Sequence, residues 1–201
     1  MPSGHWRDLT APRPHRGRDH DGIRLDPQDA QAITQRGTLY REQGDYDRAL
    51  ADLEHVAQLG GDKALGYHNR GRVLYDMRQY ERAIRDFDRA INLKPTHVAS
   101  FNLRGLCYAA IGETKRAIQD FDQALHLDSH SAEAFRNRGN ILLSTNQVER
   151  ALADYGEAIR LRPRDAYSLY SRGLMMRALG RDAEAEVDIS RAKEIEPGIG
   201  P

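Results

Sequence analysis

The sequence predicts an all-α solenoid built from five antiparallel helix-turn-helix hairpins. Three observations carry this prediction. The 201-residue chain repeats itself, ungapped, every 34 residues: Arg36-Gly37 recurs as Arg70-Gly71, Arg104-Gly105, Arg138-Gly139 and Arg172-Gly173. Within a period the apolar residues fall on helical stripes. Tyr67, Gly71 and Leu74 form one, and Tyr80, Ala83, Ile84, Phe87, Ala90 and Ile91 form a second. The two stripes are parted near Arg78, whose equivalents are Gly44, Gly112, Asn146 and Gly180, and Gly and Asn tolerate the left-handed backbone that closes a helix. Pro95, Pro163 and Pro197 then stop the second helix. A fixed period of this length is the mark of stacked supersecondary units.

Taken in order, residues 1–29 form a tail rich in Arg, His, Asp, Pro and Gly that cannot bury much surface, so it is expected to be disordered. Its end, Ile23 to Pro27, resembles the second-helix endings Ile91 to Pro95 and Ile159 to Pro163, as a vestige of a preceding helix would. The first repeat spans 30–63; its leading helix is polar at Gln31, Thr34, Gln35 and Thr38, which suits an end repeat, and it exits through Gly60-Gly61. Repeats two, three and four span 64–97, 98–131 and 132–165 and carry the full pattern. The fifth spans 166–199 and places Glu186 and Lys193 where the earlier repeats have Leu50, Ile84, Ile118, Leu152 and Ala57, Ile91, Leu125, Ile159. Its second helix is therefore expected to cap the array.

With position 1 at Ala30, Ala64, Val98, Ala132 and Ala166, position 8 is Gly and position 20 is Ala in every repeat. Position 24 is Leu53, Phe87, Phe121, Tyr155 and Ile189, and position 27 is Val56, Ala90, Ala124, Ala158 and Ala192. On these residues the chain resembles the tetratricopeptide repeat (TPR) family over residues 30–199. The resemblance implies a right-handed superhelix whose first helices line a concave groove through positions 2, 5, 9, 12 and 13. The groove residues so implied are His68, Arg72 and Tyr75; Asn102, Leu106 and Ala109; Arg136, Asn140 and Leu143; and Tyr167, Tyr170, Leu174 and Arg177. An apolar centre at Leu106, Ala109, Ala110 and Leu143, flanked by Arg72, Asn102, Arg136 and Asn140, suits a peptide with an apolar anchor and acidic groups. The two-carboxylate clamp by which some family members hold chaperone C-terminal tails is not matched. Its five positions read Thr34, Thr38, Asn69, Ala99, Leu103 from repeat one, His68, Arg72, Leu103, Glu133, Asn137 from repeat two, and Asn102, Leu106, Asn137, Tyr167, Ser171 from repeat three.

Position 7 is Arg (Arg36, Arg70, Arg104, Arg138, Arg172) and position 23 is Asp (Asp52, Asp86, Asp120, Asp154, Asp188) in all five repeats. Both lie beside packed positions, and an unpaired buried charge costs several kcal/mol, so the two are expected to pair as a recurring structural ladder. Asp86 has two equivalent choices, Arg70 in its own repeat and Arg104 in the next.

Thirty Lys and Arg balance thirty Asp and Glu, which leaves no electrostatic footprint for nucleic acid. The single cysteine, Cys107, permits no internal disulfide and sits at an apolar helical position. There is no apolar run of membrane-spanning length and no signal core at the start, so a cytoplasmic protein is expected. Neither a phosphate-binding glycine loop nor a metalloprotease motif occurs. His5, His15 and His20 match no ligand spacing, and His97, His126 and His130 read as ordinary surface histidines rather than a metal site. No enzyme activity, cofactor or metal is expected. The reading is an adaptor that binds a protein or peptide through the groove; the alternative is an assembly factor that self-associates through its edges or convex face.

Overall fold

The computed structural model describes residues 28–59 and 62–200; residues 1–27 of the expected disordered tail, with the helix vestige at 23–27, and the Gly60-Gly61 exit lie outside them, while Asp29 at the tail's end is ordered as the N-cap of the first helix. Among the described residues there are ten α-helices and no strand. The chain divides into two compact units, Met1–Gly61 and Asp62–Pro201.

The first unit contains one hairpin, α1 (Ala30–Glu42) and α2 (Tyr46–Gln58). Its core is Ile33, Tyr40, Ala49, Leu53 and Val56. The polar leading helix keeps its threonines satisfied internally: Thr34 and Thr38 hydroxyls donate to the carbonyls of Ala30 and Thr34, at 2.7 and 3.0 Å.

The second unit is a stack of four hairpins: α3 (Lys63–Asp76) with α4 (Tyr80–Leu93), α5 (Val98–Ala110) with α6 (Thr114–Leu127), α7 (Ala132–Ser144) with α8 (Val148–Leu161), and α9 (Ala166–Ala178) with α10 (Asp182–Ile195). Each second helix also packs on the first helix of the next hairpin. Apolar clusters cross these junctions, as where Ile91 of α4, Phe101 of α5, Ala124 and Leu125 of α6 and Ala134 of α7 meet. Burying a Phe or Leu fully contributes about 1.5–3 kcal/mol, so these seams, rather than helix propensity, hold the stack.

The turn inside each hairpin takes the left-handed conformation at the residue equivalent to Arg78. Gly44, Gly112 and Gly180 sit at φ 74–83°, and Arg78 and Asn146 at 58° and 59°. Around Arg78 its own N–H donates to the Tyr75 carbonyl and the Gln79 N–H to that of Leu74, both at 2.8 Å, which satisfies the carbonyls that the helix end leaves open. The prolines stop α4, α8 and α10 two residues after their last helical residue.

Close crossing inside the hairpins depends on the position-8 glycines. A Cβ at Gly71 would stand 2.7 Å from Phe87, one at Gly105 2.8 Å from Phe121 and one at Gly173 2.7 Å from Ile189. At Gly139 the nearest atoms lie 3.4 Å away, ordinary contact.

Candidate functional site

The position-7 arginines pair within their own repeats. In all five hairpins Arg Nε and Nη2 donate to the two carboxylate oxygens of the Asp sixteen residues on, at 2.6–2.9 Å, in a two-pronged fork. An antiparallel hairpin brings positions 7 and 23 level, which settles the choice between the two candidates for Asp86 in favour of Arg70. The five aspartates are buried. Two arginines do more. Arg104 Nη1 donates to Asp88 and Arg138 Nη1 to Asp122, each at 2.6 Å, and these carboxylates belong to the preceding repeat. Burial alone would lower the Arg104 pKa; the hydrogen bonds to Asp120 and Asp88 outweigh it and hold the guanidinium charged. The sequence reading missed position 25, although Glu54, Asp88 and Asp122 recur there.

The face set by positions 2, 5, 9 and 12 of α3, α5, α7 and α9 is uneven. These positions share one side of a helix. Leu65, Leu143, Tyr167 and Leu174 are 40–50% exposed, large apolar side chains turned to solvent. Arg72, Tyr75, Leu106, Ala109, Arg136 and Asn140 are half-buried, and Arg177 is exposed. The exposed apolar surface is thus concentrated toward α7 and α9, not centred on Leu106 and Ala109.

Two residues expected in the groove, His68 and Asn102, are placed elsewhere, and a third, Tyr170, is partly covered. His68 is buried between α3 and α5, where its Nδ1 lies 2.9 Å from the Ser100 hydroxyl and its ring 5.8 Å from that of Phe87. Asn102 is buried because its carbonyl oxygen accepts from the amide of Asn137, at 3.0 Å, across the α5–α7 junction. Tyr170 is half-buried: it packs, as Ile199 does, against the cluster of Ile159, Ala166, Leu169 and Ala192, and a Cβ at Gly200 would meet its hydroxyl at 3.0 Å. For His68 and Asn102 a neighbouring repeat supplies a group that hydrogen-bonds the side chain and draws it inward.

The remaining polar residues of this face are engaged as well. Arg136 Nη1 lies 3.2 Å from Asp165, and its guanidinium is 5.8 Å from the centre of the Tyr167 ring. Asp165 also caps α9 through Ser168, whose hydroxyl it accepts at 2.9 Å. Asn140 accepts from the Tyr155 hydroxyl at 2.5 Å, and burial raises that phenol to about 12. Arg177 pairs with Glu186, and the Tyr75 ring lies 5.7 Å from that of Tyr80.

One cluster gathers reactive atom types. His97, at the N-cap of α5, does not cap the helix with its side chain; its Nδ1 lies 2.7 Å from Ser100 Oγ, and its ring is edge-on to His68 at 4.6 Å. It is half-buried, which corrects its reading as an ordinary surface histidine. Ser100 is fully buried, so its hydroxyl is out of reach of a substrate and serves as a link between the two rings. Burial, then the charges of His97 and Arg72, push the His68 pKa down to about 3. Burial also lowers His97, helped by Lys94 and opposed by Asp62. Burial pushes the Cys107 thiol up to about 12, which keeps it protonated at neutral pH. No three metal-ligating side chains gather among the described residues, and His126 and His130 are exposed. Among the same residues no helix is long and apolar enough to cross a membrane.

Family models described as tetratricopeptide repeat or TPR repeat match residues 21–51, 68–132 and 139–180. No curated protein sequence matches the chain at a significant level. Solved structures do resemble it. MamA from Desulfovibrio magneticus RS-1 is 19% identical at a TM-score of 0.72, covering 88% of this chain and 99% of that one. YrrB, described as a TPR protein with an unusual peptide-binding site, is 21% identical at 0.64, over 87% and 90% of the two chains. TTC0263, a thermophilic TPR protein of Thermus thermophilus, is 16% identical at 0.70, over 85% and 93%. At these identities the likeness speaks for the fold. With the 34-residue period, the hairpins and the matched segments together, the chain is a tandem repeat protein of the tetratricopeptide repeat family.

Proposed function

We propose that this protein is a non-enzymatic interaction scaffold that holds a segment of a partner protein along the face formed by its first helices. The observation that carries the reading is the exposed apolar set Leu143, Tyr167 and Leu174 on α7 and α9, beside the Arg136 guanidinium. Large apolar side chains exposed together on a rigid face are characteristic of contact surfaces. The rigidity comes from the Arg–Asp forks and the apolar seams, so little ordering entropy is lost when a ligand docks. The ligand fitted to this face is a peptide with an apolar anchor for Tyr167 and Leu174 and a neighbouring carboxylate. That carboxylate would take Arg136 in exchange for Asp165. Asp165 has the α9 cap to return to, and its contact with Arg136 is longer than any fork of the ladder.

The test is selection from a random peptide library against the full-length protein and against a Tyr167→Ser, Leu174→Ser variant whose helicity is intact. Peptides pairing an apolar residue with an acid should be enriched on the native protein and lost on the variant. Equal retention by both proteins would remove this face from the function.

A further inference from the structure

At the α8–α9 junction the Arg–Asp ladder lacks the second carboxylate that is present at the α4–α5 and α6–α7 junctions. Arg104 and Arg138 are each shared by two carboxylates: the Asp of their own hairpin, and Asp88 or Asp122 of the preceding second helix. Arg172 makes the fork to Asp188 with Nε and Nη2, and its Nη1 has no hydrogen-bond partner among the described residues. The residue of α8 equivalent to Asp88 and Asp122 is Gly156. A Cβ built there meets a single atom within 4 Å, Arg172 Nη1 at 3.8 Å. Glu184, whose carboxyl is lowered first by its hydrogen bond with Arg181 and to a lesser degree by the charge of Arg172, is held by both Nε and Nη2 of Arg181.

Nothing in the packing explains a glycine at this position. Gly71, Gly105 and Gly173 are crowded by the facing helix, and Gly44, Gly112 and Gly180 take positive φ. Gly156 has neither reason, yet it lies in the interior of α8, where glycine is destabilising relative to alanine. What it does is leave the place of an aspartate side chain open in front of a guanidinium that hydrogen-bonds one carboxylate where Arg104 and Arg138 hydrogen-bond two.

We propose that the Gly156–Arg172 notch, at the α8–α9 junction, is a docking point for an aspartate or glutamate side chain of a partner protein. The occupant follows from the chain's own rungs: at two equivalent junctions the place is filled by a helix-borne Asp whose oxygen is 2.6 Å from Nη1. A partner that lays an acidic residue against this edge completes the third rung. Arg172 at position 7 points away from the face that carries Tyr167 and Leu174, at positions 2 and 9, so the contact is independent of the groove.

The test follows the arginine side-chain signals of full-length, isotope-labelled protein by NMR at low salt. The probe is N-acetyl-aspartate methylamide, whose only charge is the side-chain carboxylate, with the asparagine analogue and inorganic phosphate as comparison arms. The expected result is a saturable movement of the Arg172 guanidinium signals while those of Arg104 and Arg138 stay still. Gly156→Asp should abolish the response by filling the notch from within, and Gly156→Ala should keep it. The proposal is overturned if Arg172 does not move, moves together with Arg104 and Arg138, answers the asparagine analogue equally, answers phosphate more strongly, or responds unchanged in the Gly156→Asp protein.

Discussion

Acidification should loosen the array at one junction, and His68 sets the size of the effect. Its imidazole is buried with its Nδ1 on Ser100, and burial lowers its pKa from 6.5 to about 3. In the unfolded chain the same ring takes a proton near pH 6.5. As pH falls below that value the unfolded state binds the proton first, so stability is lost progressively down to about pH 3. Between pH 7 and pH 5 the linkage relation gives a loss of about 2 kcal/mol from His68 alone. The groups around the ring do not relieve it: Arg72 on α3 and His97 at the start of α5 disfavour charge there, while Lys94 at the end of α4 and Asp62 act on His97, in opposite directions. The assay is urea unfolding followed by circular dichroism at the two pH values, for the native protein and for His68→Gln, which can still reach Ser100. The variant should lose about 2 kcal/mol less than the native protein over this interval. A difference below about 0.5 kcal/mol, well under the 1.4 kcal/mol of one pKa unit, would refute the argument that a neutral, desolvated His68 closes the α3–α5 junction.

Other changes have outcomes that the geometry sets apart. Gly105→Ala drives a methyl to 2.8 Å from Phe121 and should cost about 1–3 kcal/mol, whereas Gly139→Ala meets nothing closer than 3.4 Å and should be near neutral or slightly stabilising; thermal unfolding of the pair checks this. Arg104→Ala strands Asp120 in the interior and should cost about 3–5 kcal/mol; a loss under about 1 kcal/mol in urea titration would refute the burial argument. Arg78→Gly removes a side chain from a left-handed turn and should raise stability by up to about 1 kcal/mol, read as a higher midpoint in the same titration. Asp165→Ala removes the side-chain cap of α9 and should cost about 0.5–2 kcal/mol, visible as faster amide exchange in the first turn of that helix.

The hairpins could be read from the letters because the evidence for them is local. A stripe, a left-handed residue and a proline each act within one turn of helix, and the structure places them where that logic puts them. Pairing was half legible. That Arg104 and Asp120 belong together follows from charge and burial, but Asp86 stands sixteen residues from one arginine and eighteen from another, and only the level of the antiparallel helices separates them. The candidate site was less legible still. His68 and Asn102 both occupy position 5, where Arg136 and Tyr170 stay half-buried, and nothing in that position announces burial. Burial depends on Ser100 and Asn137, each contributed by the following repeat. The exposure of Leu143, Tyr167 and Leu174 likewise depends on what the neighbouring helix fails to cover.

Because each fork closes inside one hairpin, the array can change length without electrostatic penalty. Excising residues 98–131 would remove Arg104 together with Asp120 and leave Arg70–Asp86 and Arg138–Asp154 whole. Among the described residues the ion pairs severed are Arg104–Asp88 and Arg138–Asp122, which leave Asp88, 43% exposed, and the Nη1 of Arg138 without those partners. Asp88 would then stand where Asp122 stood, one step before Arg138, and the rung would re-form between new neighbours. A gene that gains or loses 34 codons in frame therefore yields a chain whose interior is already neutralised, so copy number in such a protein is free to drift while its sequence rules stay fixed.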